Sequence, residues 1–207
     1  MSFAMPENDV ESDSFDVLPE VGPDGLRRIF RRHAAAVAVV TTTHRGAPVG
    51  LLVTSLASVS ATPPLVSFNV ARSSSSWPAL AQAEHIGVHV LEAGQEELAV
   101  RFASKGADRF AAPTTWWSGP HRTPVIHGAA AWAVAEVEQQ VPAGDHVIVV
   151  ARLLWANARD EADPLVHHDG QYRQVSGAAV PPENPVGSRF SVIRASPASA
   201  FEKISEP

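Results

Sequence analysis

A run of small hydroxyl side chains separates two apolar segments between residues 49 and 70. They are Thr54, Ser55, Ser58 and Ser60, in the segment VGLLVTSLASVSATPPLVSFNV. Strand interiors favour branched and aromatic residues, so a buried strand has no need of such a run. Hydroxyl groups donate and accept hydrogen bonds. The pattern therefore predicts that these side chains, together with nearby backbone groups, face a polar ligand.

A serine-rich loop, ARSSSS at residues 71–76, precedes a predicted short helix over residues 77–85. Free amide groups at a helix start, serine hydroxyls and the charge of Arg72 together suit a phosphate group. The same serines also suit a plain helix cap that needs no ligand. Both interpretations fit the sequence equally well.

Two further segments carry groups that are able to contact a ligand. RFASKGADRF, residues 101–110, mixes cationic and aromatic side chains, which can hold an anion and cover a flat ring. Two phenylalanines in a loop more commonly just anchor it in the core. His146 begins a predicted strand after a glycine turn, from which it can reach into a cleft, although a lone histidine is more often structural or exposed.

The composition argues against several classes of function. The chain has no cysteine and no HExxH motif, so thiolate catalysis is excluded and we expect no metal site. It has no GxGxxG or Walker spacing. A net charge of -6, with one short arginine cluster, argues against nucleic acid. The absence of a secretory signal and of a long apolar run predicts no membrane association and a cytoplasmic location.

The elements that must position these residues are mostly strands. About seven strands and three short helices, joined as hairpins, predict a mainly β fold, an antiparallel barrel or sandwich with peripheral helices. Residues 1–22 are predicted to be a flexible leader, 23–175 the folded domain and 176–207 an extended, proline-rich tail.

Six segments, in this order, resemble the flavin reductase-like family across about residues 23–175. They are VAVVTTTHRGAPVGLLVTSLASVSATPPLVSF, RSSSSW, QEELAVRFASKGADRF, TPVIHGAAAW, AGDHVIVV and PLVHHDGQY. The resemblance implies an FMN-binding split barrel that acts as a homodimer. It also implies FMN or FAD as the flavin and NADH or NADPH as the co-substrate.

The resemblance further implies which residues bind each group. The residues expected along the flavin are Gly50, Leu51, Leu52, Val53, Thr54, Ser55, Leu56, Val70, Ala71, Arg72, Ser76, Trp77, Ala103 and Ser104. Those expected on the nicotinamide side are His146, His167, His168, Asp169, Gly170 and Tyr172, with His146 as the catalytic residue, in an orienting or electrostatic role. Leu52 stands where the family commonly has threonine, and Ala151 with Arg152 replaces a common Gly-Glu pair.

The function implied is that of an NAD(P)H-dependent flavin reductase. Reduced nicotinamide would deliver hydride to the flavin N5, and a partner monooxygenase would receive the reduced flavin. Two alternatives stay open: a flavoprotein that holds FMN tightly and reduces another acceptor, and a flavin-binding module without turnover.

Overall fold

Twelve strands and three α-helices make up the part of the chain that the computed structural model describes, residues 21–175. Most of the predicted leader and all of the predicted tail lie outside these residues. The helices are α1 (Pro23–Phe30), α2 (Trp77–Leu80) and α3 (Glu96–Ala103), with a 3-10 turn at Pro120–Arg122. The strands are β1 (Ala35–Ala36), β2 (Ala38–His44), β3 (Ala47–Val53), β4 (Ala57–Ala61), β5 (Pro64–Ala71), β6 (His85–Val90), β7 (Trp116–Ser118), β8 (Pro124–Ile126), β9 (Ala131–Ala143), β10 (His146–Ala158), β11 (Leu165–His168) and β12 (Gln171–Gln174).

Seven of these strands form one antiparallel sheet in the order β3-β2-β6-β9-β10-β5-β4. Strands from both halves of this order contribute to a single apolar core, with Leu51 from β3, Ile86 from β6 and Phe68 from β5. Distant strands of one sheet can share a core only if the sheet curves around it. The fold is therefore mainly β with peripheral helices, as predicted.

Strand β2 is buried on both of its faces. Ala38 and Val40 belong to the core inside the sheet, whereas Val39 and the preceding Val37 belong to a second core formed with α3, β8 and β11. Successive side chains of a strand point to opposite faces, so a strand covered on both sides is apolar throughout. This placement explains the uninterrupted run AVAVV at residues 36–40.

The small sheet β1-β11-β12 packs beside the second core. The backbone N–H of Val37 donates to the carbonyl of Leu165 at 2.8 Å, which joins this sheet to the start of β2. The turn of the β11–β12 hairpin lies close to the end of α1, because the N–H of Asp169 donates to the carbonyl of Arg31 at 3.1 Å. The hairpin predicted over residues 164–173 is thus present and lies against the chain that follows α1.

Three local expectations differ from the structure. The sequence predicts a first helix from residue 23 through His33, but α1 ends at Phe30, and α2 ends at Leu80 rather than at residue 85. The second difference arises because residue 85 already pairs with Glu136 of β9 as the first residue of β6. The hydroxyl segment also contains a strand, β4, which pairs with β5 at the edge of the large sheet. Among residues 21–175, no helix is long and apolar enough to span a membrane.

Candidate functional site

A cleft of about 830 Å³ lies among the end of β3, the end of β5, the following serine loop and the end of α3. We call it the first cleft. Most of its apolar lining comes from strand residues, Leu51, Leu52, Val53, Val70 and Ile148, to which α1 adds Leu26 and α3 adds Phe102. A volume of this size falls within the range of small-molecule and cofactor sites.

The polar lining of the first cleft combines hydroxyl and cationic side chains. Ser73, Ser74 and Ser75 come from the loop after β5, and Lys105 and Arg109 from the segment after α3. Hydroxyl donors and positive charges together suit an anionic group such as a phosphate. The first cleft therefore offers an apolar wall and a cationic, hydroxyl-rich region within one cavity.

A second cleft of about 820 Å³ adjoins the first. Thr54, Ser55 and Asn69 line both, so the two cavities meet at these residues. The remaining lining of the second cleft comes mainly from α1, the chain after it, the start of β4 and the β11–β12 hairpin: Arg27, Phe30, Arg31, His33, Ala34, Ala35, Ala36, Leu56, Ala57, His167 and Gly170. Two arginines and a phenylalanine give this cleft both cationic and aromatic surface.

Ser76 does not face the first cleft. It is 1% exposed, and its hydroxyl donates to the carbonyl of Gly50 at 2.9 Å instead of capping helix α2. The hydroxyl also accepts a hydrogen bond from Arg109 Nη1 at 2.9 Å. The sequence leaves two roles open for this serine, a hydrogen-bond donor to phosphate and a helix cap. Its hydrogen bonds match neither role.

His146 lines the first cleft beside Ala143 and Ile148. Its Nδ1 donates to the carboxylate of the neighbouring Asp145 at 2.7 Å. This hydrogen bond and the charge of the imidazole lower the pKa of Asp145. Both side chains are well exposed, so solvent screens the pair and its role is to orient the imidazole more than to stabilise the fold.

The structure places the residues expected on the nicotinamide side in two locations. His146 lies in the first cleft, whereas His167 and Gly170 line the second. His168, Asp169 and Tyr172 belong to the same hairpin as His167 but line neither cleft. Tyr172 packs against the second core, with its ring 5.9 Å from that of His167, and burial raises the pKa of its phenol.

Most residues expected along the flavin reach one of the clefts. Those lining the first cleft are Leu51, Leu52, Val53, Thr54, Ser55, Val70, Ala71 and Ala103, and Leu56 lines the second. Those lining neither cleft are Gly50, Arg72, Ser76, Trp77 and Ser104. Ser58 and Ser60 lie on edge strand β4, where Ser60 Oγ accepts the N–H of Thr62 at 3.2 Å, so the hydroxyl run is divided between cleft and edge.

The residues assigned to the flavin from the family resemblance omit several that line the first cleft, namely Ser73, Ser74, Ser75, Lys105 and Arg109. Their signal was present in the serine run and in the mixed cationic and aromatic segment RFASKGADRF. The replacement Arg152 forms ion pairs with Glu136 and Glu138 across the β9–β10 hairpin and lines neither cleft. Leu52 adds to the apolar wall of the first cleft.

The lining of the first cleft fits a flavin mononucleotide unit. The apolar strand residues suit a flat ring system, and the serines with Lys105 suit a phosphate on a short chain. Within residues 21–175, no three His, Asp or Glu side chains are grouped in a way that could hold a metal ion. The curved antiparallel sheet with two adjoining clefts agrees with the split-barrel fold that the resemblance implies.

The chain belongs to the flavin reductase-like domain family, whose model matches residues 30–176. An NADH:FMN oxidoreductase of Rhodococcus erythropolis is 42% identical over 150 residues, which cover 70% of this chain and 78% of that protein. The reductase subunit of a flavin-dependent monooxygenase from Rhodococcus jostii is 30% identical over 165 residues, 80% of this chain and 84% of that protein.

A solved structure of an NADH:FAD oxidoreductase from Streptomyces globisporus, in complex with NAD and FAD fragments, superposes with a TM-score of 0.71. It is 30% identical and covers 76% of this chain and 94% of that one. These likenesses confirm the predicted family and split-barrel fold. They also confirm the predicted class of activity, an NAD(P)H-dependent flavin oxidoreductase that uses a flavin and reduced nicotinamide.

Proposed function

We propose that this reductase binds FMN, or the FMN portion of FAD, in the first cleft. Reduced nicotinamide dinucleotide would bind in the second cleft. The observation that carries the proposal is that two clefts of similar volume share Thr54, Ser55 and Asn69. Two flat rings bound one in each cleft would approach one another at these residues. Holding two reactants in contact is the main contribution that a protein makes to a reaction carried by cofactors.

When bound, the flavin accepts a hydride from the reduced nicotinamide. The strand residues of the first cleft would hold the flavin ring and exclude water from one of its faces. Ser73, Ser74 and Ser75 would donate hydrogen bonds to its phosphate, and Lys105 would add charge. Arg27 and Arg31 would hold the pyrophosphate of the nicotinamide dinucleotide.

His146 is proposed as the residue that orients the reacting groups through its imidazole. It lies in the first cleft, and its Nδ1–H is held by Asp145, which leaves Nε2 free to accept a hydrogen bond. His167 and Gly170 would contact the nicotinamide dinucleotide in the second cleft. His168, Asp169 and Tyr172 would support them by holding the hairpin in place.

We further propose that two copies of this chain form a dimer through helix α1. Leu26, Ile29 and Phe30 form its apolar stripe, and they are 53%, 61% and 60% exposed in the single chain. An apolar stripe of this kind calls for a covering surface. Because α1 lines both clefts, a dimer formed there would also complete their walls.

A separate flavin-dependent monooxygenase would use the reduced flavin, as the name of the Rhodococcus jostii relative states for that protein. Such an exchange is expected to take place in the cytoplasm, where reduced nicotinamide is available. The reductase would then release its flavin after each turnover, which agrees with an open cleft bordered by exposed loop residues.

The first experiment is anaerobic oxidation of NADH and of NADPH by the purified protein, with FMN, FAD, riboflavin or no flavin added. We expect turnover that rises with added flavin, and the comparison identifies the preferred flavin and nucleotide. Turnover without added flavin would indicate a permanently bound flavin and another acceptor. Bound flavin without any nicotinamide oxidation would instead establish a binding module.

The assignment of the second cleft has its own test. Arg31→Glu is expected to raise the KM for NADH at least tenfold and to leave the flavin Kd within about twofold, because a repelled pyrophosphate loses roughly 1.4 kcal/mol or more. Arg28→Glu makes the same charge change three residues earlier, within α1, at a residue that lines neither cleft. Equal effects of the two variants on KM would contradict the assignment.

A further inference from the structure

The side chain of Arg109 joins three separate segments around the first cleft. Its Nη1 donates to the carbonyl of Gly50 at 2.8 Å and to the hydroxyl of Ser76 at 2.9 Å. Its Nη2 donates to the carbonyl of Ser104 at 3.0 Å. One guanidinium group therefore connects β3, the residue before α2 and the residue after α3.

These contacts form a closed arrangement and not three independent bonds. The carbonyl of Gly50 accepts from both Arg109 and Ser76, while the hydroxyl of Ser76 accepts from Arg109 in turn. Ser76 is 1% exposed, so these hydrogen bonds are shielded from water. A planar guanidinium holds its partners at fixed angles, which a flexible ammonium group does not.

The three anchored positions lie next to cleft-lining residues. Gly50 precedes the strand residues of the apolar wall, Ser76 follows the three serines, and Ser104 lies between Ala103 and Lys105. The contacts of Arg109 therefore fix the strand wall, the serine loop and the Lys105 segment relative to one another. A shift in any of them would change the shape of the cleft.

The hydrogen-bonding groups of Arg109 are directed mainly into the protein. Both hydrogens of Nη1 are used by Gly50 and Ser76. The Nε atom is buried from solvent without a partner among the described residues, and burial lowers the pKa of the guanidinium. The serines and Lys105 would thus donate the hydrogen bonds to a phosphate in the cleft. Arg109 would act indirectly, by holding the segments that carry these residues.

We propose that Arg109 is a positioning residue that sets the shape of the flavin cleft and does not bind the flavin phosphate. The proposal rests on the proposed use of the first cleft for flavin. Its test is the affinity for two flavins that differ only in the phosphate, FMN and riboflavin, measured by fluorescence titration without nicotinamide. A phosphate-binding residue would discriminate between them, whereas a positioning residue would affect both alike.

Arg109→Lys keeps the charge and loses the planar fork. We expect it to raise the Kd for FMN and for riboflavin by about tenfold each, the loss expected from one or two shielded hydrogen bonds. Arg109→Ala is expected to raise both further. Lys105→Ala is the matched control from the same cleft, and it is expected to raise the Kd for FMN while leaving that for riboflavin within about twofold.

A second variant covers the case in which Arg109→Ala does not fold. Ser76→Ala removes one acceptor of Arg109 and one donor to Gly50, so it is expected to raise both Kd values in the same direction by a smaller factor. In the double variant with Arg109→Lys, Ser76→Ala is expected to raise the Kd values by a smaller factor than it does alone, because both changes disrupt the same hydrogen-bond network. Fully additive effects would contradict the shared arrangement.

Val134→Ala is the control that separates a loss of overall stability from a change in the shape of the cleft. Val134 is fully buried on β9 and lines neither cleft, so this variant is expected to lower the melting temperature without changing either Kd. The proposal is overturned if Arg109→Lys leaves both flavins unaffected, or if it weakens FMN alone. Intact flavin binding without NADH oxidation would overturn the proposed function. The Kd values for FMN and riboflavin would still test the roles of Arg109 and Lys105 separately.

Discussion

Ser55 and Asn69 are joined by two hydrogen bonds where the two clefts meet. The backbone N–H of Asn69 donates to Ser55 Oγ at 2.8 Å, and the same hydroxyl donates to the carbonyl of Asn69 at 3.5 Å. The hydroxyl thereby links the segment after β3 to the middle of β5. Because both residues line both clefts, this link holds the shared boundary in place.

Ser55→Ala should therefore affect both substrates. We expect the KM for flavin and the KM for NADH to rise several-fold, and the free energy of unfolding to fall by about 1 kcal/mol, the usual worth of such a hydrogen bond. Steady-state kinetics and urea unfolding measure these changes. Ser58→Ala, on exposed strand β4, serves as the control and should change neither; an effect on flavin alone would contradict a shared boundary.

His146→Ala tests the orienting role of the imidazole. We expect kcat with NADH to fall at least tenfold, while the Kd for flavin stays within about twofold, because the imidazole contributes to positioning more than to flavin binding. Stopped-flow reduction and fluorescence titration measure the two quantities separately. His44→Ala, at the β2–β3 turn, is the control; an equal loss of turnover and of flavin affinity would refute this role.

His89 makes the stability of the fold depend on pH. It is fully buried, and burial lowers its pKa from 6.5 to about 4. Its Nδ1 donates to the carbonyl of Val39 at 3.0 Å, and its Nε2 has no partner among the described residues. Between these two pH values, the unfolded chain therefore binds a proton at His89 that the folded chain does not bind. The contribution of His89 to the free energy of unfolding is complete above pH 6.5 and is lost as the pH falls towards 4.

The loss attributable to His89 is about 3 kcal/mol across that interval. We expect His89→Gln to flatten the pH dependence of the unfolding free energy by that amount between pH 7 and pH 4, measured by urea unfolding. His127→Gln, at an exposed position, should keep the dependence of the original protein. An unchanged slope in His89→Gln would show that His89 has the same pKa in the folded and unfolded chains, which would contradict this account.

Gly50 is required by close packing. A methyl group there would lie 2.8 Å from Phe102 Cε1, 3.1 Å from the carbonyl oxygen of Val40 and 3.2 Å from Phe110 Cζ. We expect Gly50→Ala to lower the free energy of unfolding by about 1–3 kcal/mol and to raise the flavin Kd, because the carbonyl held by Arg109 must move. Gly94→Ala, with nothing within 4 Å, should change neither quantity, and an equal response of the two glycines would contradict this account.

The apolar stripe of α1 predicts the oligomeric state. We expect the protein to sediment with the mass of two chains and Phe30→Glu to sediment as one, because a carboxylate within the interface loses its hydration. Arg28→Glu, a charge change elsewhere on the same helix, should leave the dimer intact. A single-chain mass for the unaltered protein would refute the proposed interface.

The sequence by itself determined the mainly β fold class and the family, but it predicted about seven strands where the described residues contain twelve. The run AVAVV at residues 36–40 predicts a strand, although only the structure shows that it is buried on both faces, and the turns between apolar segments predict the β2–β3 and β9–β10 hairpins. These features are local, since they depend on the period of apolar residues and on turn chemistry. The order of the six motifs then indicated a flavin as the ligand.

Only the tertiary structure decided which polar side chains face the cleft. Arg109 reaches Gly50 from 59 positions away and Ser76 from 33 positions away, and no periodic pattern encodes such contacts. A serine in a loop has no preferred direction until other segments pack against it, so Ser76 and Ser75 could not be told apart from the sequence. The meeting of the two clefts at Ser55 and Asn69 likewise depends on how β3 and β5 come together around the core.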